Sequence, residues 1–495
     1  MKTKINWLEW SKESFGKAKQ KDKPILLDLT AVWCHWCHVM DATSYSDVEI
    51  IRKINEDFIP IKVDIDKRPD IKERYNMGGF PSTVFLNPDG YIIAGETYVA
   101  PERMKLLLDT VKTEYDARKD DARRIISETA KDLQATNTPI SPDYGSITKE
   151  ILLSIEDNFD DYGGFGLEPK FPTPEIIDFL FRIYKKTKEK KYLDMAMKTL
   201  EGMSNGLFDK VDGGFFRYSV TRDWKLPHYE KMLETNAGLI RNYAEGYEAT
   251  ENEEYKGIAL GTMRFVRNFL SNKGSGGFYG SMDANEEFYR LGAEDRKKMG
   301  YPMVDKTIYV DWNSMMVSSY IKAGAIFGDR EAVEFAIKTA DFILDNCYKE
   351  GDGLFHYFDG KPNVSGLLND NICFLDCLID VYSAMPNKKY ISAIKEIAEF
   401  ILKSFHDSKD YGFYDRIQKG EDLGALSRKK KQFLDNSYCA IVFLKAYILT
   451  KNPAYKSAAE NALANFADKY PDYGCFSAVY GTAAYMLLNE INKAD

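Results

Sequence analysis

The chain is poor in cysteine. Seven cysteines in 495 residues, an odd and scattered number, exclude a framework of structural disulfides and leave one close pair, Cys34 and Cys37, where thiol chemistry can concentrate. No run of about 18 uncharged apolar residues occurs, which excludes a membrane-spanning helix and makes a membrane partner unexpected. The opening residues, Met1 to Trp7, lack the apolar segment that directs export, so a soluble, cytoplasmic protein is expected. A Lys/Arg-rich stripe is also missing, and with a net charge of −9 nucleic acid is not an expected partner.

At this length, with 44% hydrophobic residues, the chain can bury more than one core, and two domains are expected. The most informative stretch is Trp33-Cys34-His35-Trp36-Cys37-His38. It follows the apolar run Ile25 to Leu29 and reads as a strand feeding a helix whose first turn carries both thiols. The free N–H groups and dipole of a helix start stabilise an anion, so Cys34 is the expected attacking thiolate, partly exposed, and Cys37 the resolving thiol one turn deeper. Two other readings of this stretch are weaker. Cys34 to His38 spells the CxxCH haem-attachment motif, but that chemistry follows export. Part of a zinc site is also conceivable, yet no second CxxC or HxxxH completes it, and Cys373 and Cys377 lie in an apolar helix and read as core. No metal and no other cofactor is therefore expected.

The elements around the pair run as a helix over residues 7 to 20, the strand Ile25 to Thr30, the CxxC helix, a helix through Val48 and Phe58, the strand Ile59 to Ile65, a strand from Ser82 to Leu86, the turn Asn87-Pro88-Asp89-Gly90, a strand at Tyr91 to Ala94, and a helix from Pro101 to about Val111. This β-α-β-α-β-β-α order resembles the thioredoxin fold. The resemblance assigns Asp28, six residues before Cys34, to the buried acid that takes the resolving thiol's proton, Lys62 to its partner, and Pro81 to a cis-proline facing the thiols. A thioredoxin scaffold without redox function is the alternative. A charged helix then runs to about Leu133, and Thr136 to Pro142 breaks it. The expected organisation is a thioredoxin-like domain at 1–115, a helical linker at 116–142 and a second domain at 143–495.

The second domain repeats. Gly164-Phe165, Gly214-Phe215, Gly277-Phe278, Gly353-Leu354-Phe355, Gly412-Phe413 and Gly474-Cys475-Phe476 mark six units. An amphipathic helix precedes each loop and a more apolar one follows. Six helical hairpins closing into a ring, apolar helices inside, make an all-α (α/α)6 toroid. Asn236, Asn313, Asn371 and Asn436 open four inner helices in register, with Glu234, Asp311, Asp370 and Asp435 one or two residues earlier. These residues read either as helix caps or as polar groups crowding a sugar-binding mouth. The densest polar cluster, Arg217 to Glu234, holds His228, one of only five histidines. With Glu230, Lys231 and Asp283 it is the candidate acid/base or sugar-binding group; the bland reading is a solvated helix start. A hydrolase would need two carboxylates, from Glu230, Glu234, Asp283 and Asp311, about 5 to 9.5 Å apart, whereas an epimerase would need a base such as His228 beside the sugar carbon.

Cys34 to Met40, Gly163 to Gly166 with Pro169 to Pro172, Pro227 to Leu233, Gly276 to Tyr279 with Asp283-Ala284, and Asp311-Trp312-Asn313 together resemble the spermatogenesis-associated thioredoxin-domain proteins. The resemblance implies a thioredoxin-like domain fused to a six-hairpin glycosidase-like barrel similar to N-acylglucosamine 2-epimerases. Two functions are expected from it. One is a thiol-disulfide oxidoreductase acting on a disulfide-containing client or a thiol reductant, its barrel docking a client or a carbohydrate. The other is a sugar epimerase or glycosidase whose thioredoxin domain is regulatory or structural.

Overall fold

The computed structural model describes residues 4–129, 142–420 and 422–491. Two compact units result: Met1–Thr136 with Gln418–Lys429, and Asn137–Ile417 with Lys430–Asp495.

The first unit contains α1 (Lys12–Lys21), β1 (Ile25–Thr30), α2 (His35–Ala42), α3 (Val48–Asp57), β2 (Ile59–Asp64), α4 (Pro69–Tyr75), β3 (Ser82–Leu86), β4 (Ile92–Glu96) and α5 (Pro101–Thr129). Its sheet has the order β2-β1-β3-β4, with β1 parallel to β2 and the other pairs antiparallel. β1 is central and buried from Ile25 to Leu29, which is why it reads as a continuous apolar run rather than an alternating one. Leu26, Met40, Ile50, Ile54, Phe58, Phe85, Met104 and Leu108 fill the core beside it.

Three details depart from the sequence reading. The expected helix at 7 to 20 starts only at Lys12, because Leu8 instead bridges Ile61 in parallel and extends the edge of β2. The short α4 was not anticipated; seven residues with Pro69 at its start carry too little periodicity to register. α5 runs through the expected domain edge at 115, and the rest of the expected linker, 130–141, lies outside the described residues. The unit also takes in Gln418–Lys429 from far along the chain. Tyr75 donates its hydroxyl to the Gly90 carbonyl (2.7 Å) and accepts the Ala425 N–H (2.8 Å), while buried Arg74 donates to the carbonyls of Ala425 and Arg428. Gly424, at φ +56°, has no room for a side chain: a Cβ there would strike Tyr75 and Gly90.

The second unit contains α6 (Tyr144–Asp157), α7 (Pro174–Thr187), α8 (Lys190–Gly206), α9 (Leu233–Thr250), α10 (Glu253–Phe269), the short α11 (Glu286–Tyr289) and α12 (Ala293–Met299), then α13 (Val310–Phe327), α14 (Arg330–Asn346), α15 (Leu368–Ala384), α16 (Lys388–Ser404), α17 (Phe433–Thr450), α18 (Pro453–Ala464) and α19 (Ala478–Met486). Contacts run α7 to α9, α13, α15, α17, α19 and back to α7, so six inner helices close a ring, each backed by an outer helix. This is the expected (α/α)6 toroid. Inner helices such as α13 and α17 are buried around most of their circumference, whereas outer α16 buries one stripe, Tyr390, Ala393, Ile394, Ile397, Ala398 and Ile401.

The in-register asparagines explain the repeat. Asn236 Oδ1 accepts the Phe215 N–H (2.7 Å), and its Nδ2 donates to the carbonyls of Phe215 (3.2 Å) and Met232 (2.7 Å). Asn313 holds Phe278 in the same way (2.6 and 3.0 Å), and Asn436 holds Phe413 (2.6 and 3.0 Å). Asn371 accepts from Leu354 (3.0 Å). The capping reading is thereby corrected. The N-cap residues are Met232, Tyr309, Leu367 and Gln432, none with a side-chain cap bond, and the asparagines sit inside the first turn. There they satisfy buried backbone groups of the preceding Gly/aromatic loop that no strand partner reaches.

Candidate functional site

In the first unit, α2 begins where β1 ends, and Cys34 is its N-cap: the sulfur accepts the Cys37 N–H (3.2 Å). Cys34 and Cys37 form a disulfide with Cα atoms 5.2 Å apart. The expectation of partial exposure is corrected for this oxidised form, in which Cys34 is 3% and Cys37 2% exposed. Trp36 covers the helix start, 48% exposed and packed on Tyr98 at 5.2 Å. The Phe80–Pro81 peptide bond is cis.

Register places Asp28 opposite Lys62 on one side and Thr83 on the other. Asp28 is 1% exposed, and burial pushes its carboxyl up to about 6, against the pull of Lys62. The Lys62 Nζ lies 3.3 Å from Asp28 Oδ2 and 2.8 Å from Asp41 Oδ1, so it is shared between two acids. Among the described residues Asp28 Oδ1 has no hydrogen-bond partner within bonding geometry. Tyr45, also buried, has its hydroxyl raised well above the usual range by burial and then by the Asp28 charge. Asp41 and Tyr45 were not singled out from the sequence; both lie on or just after the CxxC helix, facing the one charge in β1. A carboxyl raised to about 6 is largely ionised at neutral pH and can accept a proton from a neighbouring acid.

In the toroid, the pairing of Tyr218 with His228 across two short antiparallel strands stacks their rings at 4.8 Å, and Phe171, 42% exposed, stacks on Tyr218 at 4.6 Å. His228 Nδ1 lies 2.7 Å from Glu230 Oε2, and that carboxylate is buried. The Arg217 guanidinium sits 5.6 Å from the Tyr218 ring. Lys231 pairs with Met282 and Met232 with Ser281, which brings Asp283 alongside Glu230.

Lys231 itself is taken out of the candidate chemistry. Its ammonium is fully buried, 2.6 Å from Asp209 and 2.7 Å from the Gly213 carbonyl, with Arg296 on the same Asp209 at 2.7 Å. Burial draws it down to about 8. It ties the second Gly/aromatic loop to the entry of α9. Asn313 is likewise a loop clamp. Glu234 is exposed, and its negative charge is felt at Asp311.

Asp311 does not join His228. It converges with Asp370, which the sequence reading offered among the polar groups of the barrel mouth, and with His356, which it did not select; one donor atom from each lies within 4.8 Å of the others, and all three are buried. Burial and the adjacent Asp370 push Asp311 up to about 7, opposed by His356. Among the described residues this is the group whose donor types and spacing suit a metal ion. Asp370 was visible as the acid before Asn371. His356 carried only the signal of being a histidine in an alternating segment after a Gly/aromatic loop.

Residues 1–134 match the family described as "Protein of unknown function, DUF255", of the thioredoxin-like DsbH type. The chain is 25% identical over 543 residues to spermatogenesis-associated protein 20 of Homo sapiens, covering 83% of this chain and 69% of that protein. It is 38% identical over 65 residues to thioredoxin-1 of Drosophila melanogaster, 13% of this chain and 58% of that one. Among solved structures it resembles a D-mannose isomerase, with a TM-score of 0.57 at 12% identity over 70% of this chain and 97% of that one; at that identity the likeness is one of fold. Among the described residues no helix is long and apolar enough to cross a membrane.

Proposed function

We propose that this chain, a DUF255 thioredoxin-like domain joined to a six-hairpin glycosidase-like toroid and related to spermatogenesis-associated protein 20, is a cytoplasmic thiol-disulfide oxidoreductase. The observation that carries the reading is the Cys34–Cys37 disulfide at a helix start, in a unit whose central strand holds a buried acid raised to about 6. In the reduced protein, the Cys34 thiolate attacks a client disulfide and forms a mixed disulfide, expelling one client thiolate. The Cys37 thiol then passes its proton towards Asp28, and its sulfur displaces the client's second thiolate from Cys34. Two electrons leave the protein as the Cys34–Cys37 bond forms, and a thiol reductant restores them.

A second reading concerns the toroid. The Phe171–Tyr218–His228 stack, exposed at Phe171 and flanked by the Arg217 guanidinium, offers an apolar face edged with a hydrogen-bonding group, which is what a sugar ring needs. The toroid is proposed to bind a carbohydrate there, with D-mannose the first probe.

Reduction of insulin disulfides in the presence of dithiothreitol tests the first reading. Wild type should accelerate it, Cys34→Ser should not, and His228→Ala should match wild type; equal rates for wild type and Cys34→Ser would end the redox reading. Titration with D-mannose tests the second: Tyr218→Ala should lose binding that Cys34→Ser retains.

A further inference from the structure

Two neighbouring inner helices and the strand between them bring three ligating side chains to one buried place. Asp311 lies in the first turn of α13 and Asp370 in the first turn of α15. His356 lies in the strand Gly353–Phe358, which pairs with Ile308–Tyr309 at the entry of α13. The three are 6%, 0% and 3% exposed in that order. His356 Nδ1 contacts Asp370 Oδ1 at 2.8 Å, while Asp370 Oδ2 is buried with no hydrogen-bond partner among the described residues. An ionised oxygen left that way is costly in a protein interior unless a cation reaches it.

The surroundings orient these donors as outer-shell groups orient metal ligands. Asp311 Oδ1 accepts the Trp312 N–H (2.8 Å), and Oδ2 accepts the Asn369 amide (3.0 Å). Each oxygen keeps a second lone pair. Donors sharing an ion at bond lengths of about 2.0–2.2 Å stand about 3 to 4.4 Å apart. The observed limit of 4.8 Å therefore closes with a small contraction of side chains.

We propose that Asp311, His356 and Asp370 bind a first-row divalent ion such as Mn²⁺ or Zn²⁺. Two carboxylate oxygens and an imidazole nitrogen suit these ions and disfavour Mg²⁺ and Ca²⁺, which take oxygen ligands. The ion offsets the two buried carboxylates and ties the entries of α13 and α15 together. Three protein ligands leave positions for water or for the hydroxyl oxygens of a bound polyol. None of the three residues belongs to the aromatic stack around His228 or to the thiol pair.

The test is a titration of the full chain, freed of metal with EDTA and with its thiols kept as the disulfide, using Mn²⁺ followed by electron paramagnetic resonance. One Mn²⁺ per chain is expected, weakened at least about tenfold by Asp370→Asn and by His356→Gln, unchanged by Cys34→Ser with Cys37→Ser, and not displaced by equimolar Ca²⁺. Absence of saturable binding in the wild type overturns the proposal. So does unaltered binding in both toroid variants, loss of binding in the cysteine double variant, or displacement by equimolar Ca²⁺. If Asp370→Asn fails to fold by circular dichroism, His356→Gln and the wild-type titration still decide.

Discussion

Replacing Asp28 by Asn should stabilise the thioredoxin-like unit, and only above a particular pH. The Asp28 carboxyl rises from an ordinary value near 3.8 to about 6 in the folded protein because burial penalises its ionised form. An acid raised by folding favours the fold while protonated, and that advantage is lost as pH climbs from its unfolded value through its folded one. The difference corresponds to about 3 kcal/mol above pH 7, about 1.5 kcal/mol near pH 5 and almost nothing below pH 3. Asn fills nearly the same volume and removes the penalty. Lys62 is not stranded by the change, since it keeps Asp41 at 2.8 Å. Amide hydrogen exchange of β1 and β3 across pH reads the unit's own opening free energy. The gap between variant and wild type should open between about pH 4 and 6 and then stay level. A variant less stable than wild type at pH 8, or a gap independent of pH, would refute the reasoning.

Asn236→Ala and Asn313→Ala should each cost about 1–3 kcal/mol in chemical denaturation of the toroid, because buried N–H and C=O groups of Phe215 or Phe278 lose their partner; a change near zero would show that the clamps are incidental. Asp209→Ala should cost about 3–5 kcal/mol, more than Lys231→Met, since it leaves two buried cations without their shared anion while Lys231→Met leaves Asp209 with Arg296. The reverse order in urea midpoints would contradict the buried network. The five other cysteines are buried and Cys347 is pushed up to about 12 by desolvation, so iodoacetamide should leave them unmodified in the native protein at neutral pH. Mass spectrometry showing prompt labelling of Cys347 or Cys439 would overturn their placement in the core.

Local patterns were legible and convergent ones were not. The Cys34–Cys37 spacing, the apolar run of β1 and the Pro81 loop each sit within a few residues, so the thioredoxin-like order could be read directly. The toroid was legible because six Gly/aromatic loops and alternating helix types repeat one packing problem. Lys231 looked like site chemistry because sequence proximity to His228 hides the fact that the two residues, three apart, sit in separate short strands and face different ways, His228 towards Tyr218 and Lys231 into the core. His356 escaped, and with it the meeting of Asp370 and Asp311, because that meeting depends on strand pairing and on two separate helix entries, none of which one segment encodes. The four asparagines were found, but neither the cap nor the sugar-mouth reading named their role, since the loop each one holds lies 17 to 35 residues earlier in the chain.

The most direct test is the rate of alkylation of Cys34 as a function of pH in the freshly reduced protein, followed by mass spectrometry. The helix start predicts that Cys34 reacts first among the seven cysteines, with an apparent pKa clearly below the roughly 8.5 of free cysteine. If Cys34 reacts no faster than Cys347 or Cys439 at neutral pH, the thiol pair is not a redox centre and the thioredoxin-like domain is a scaffold.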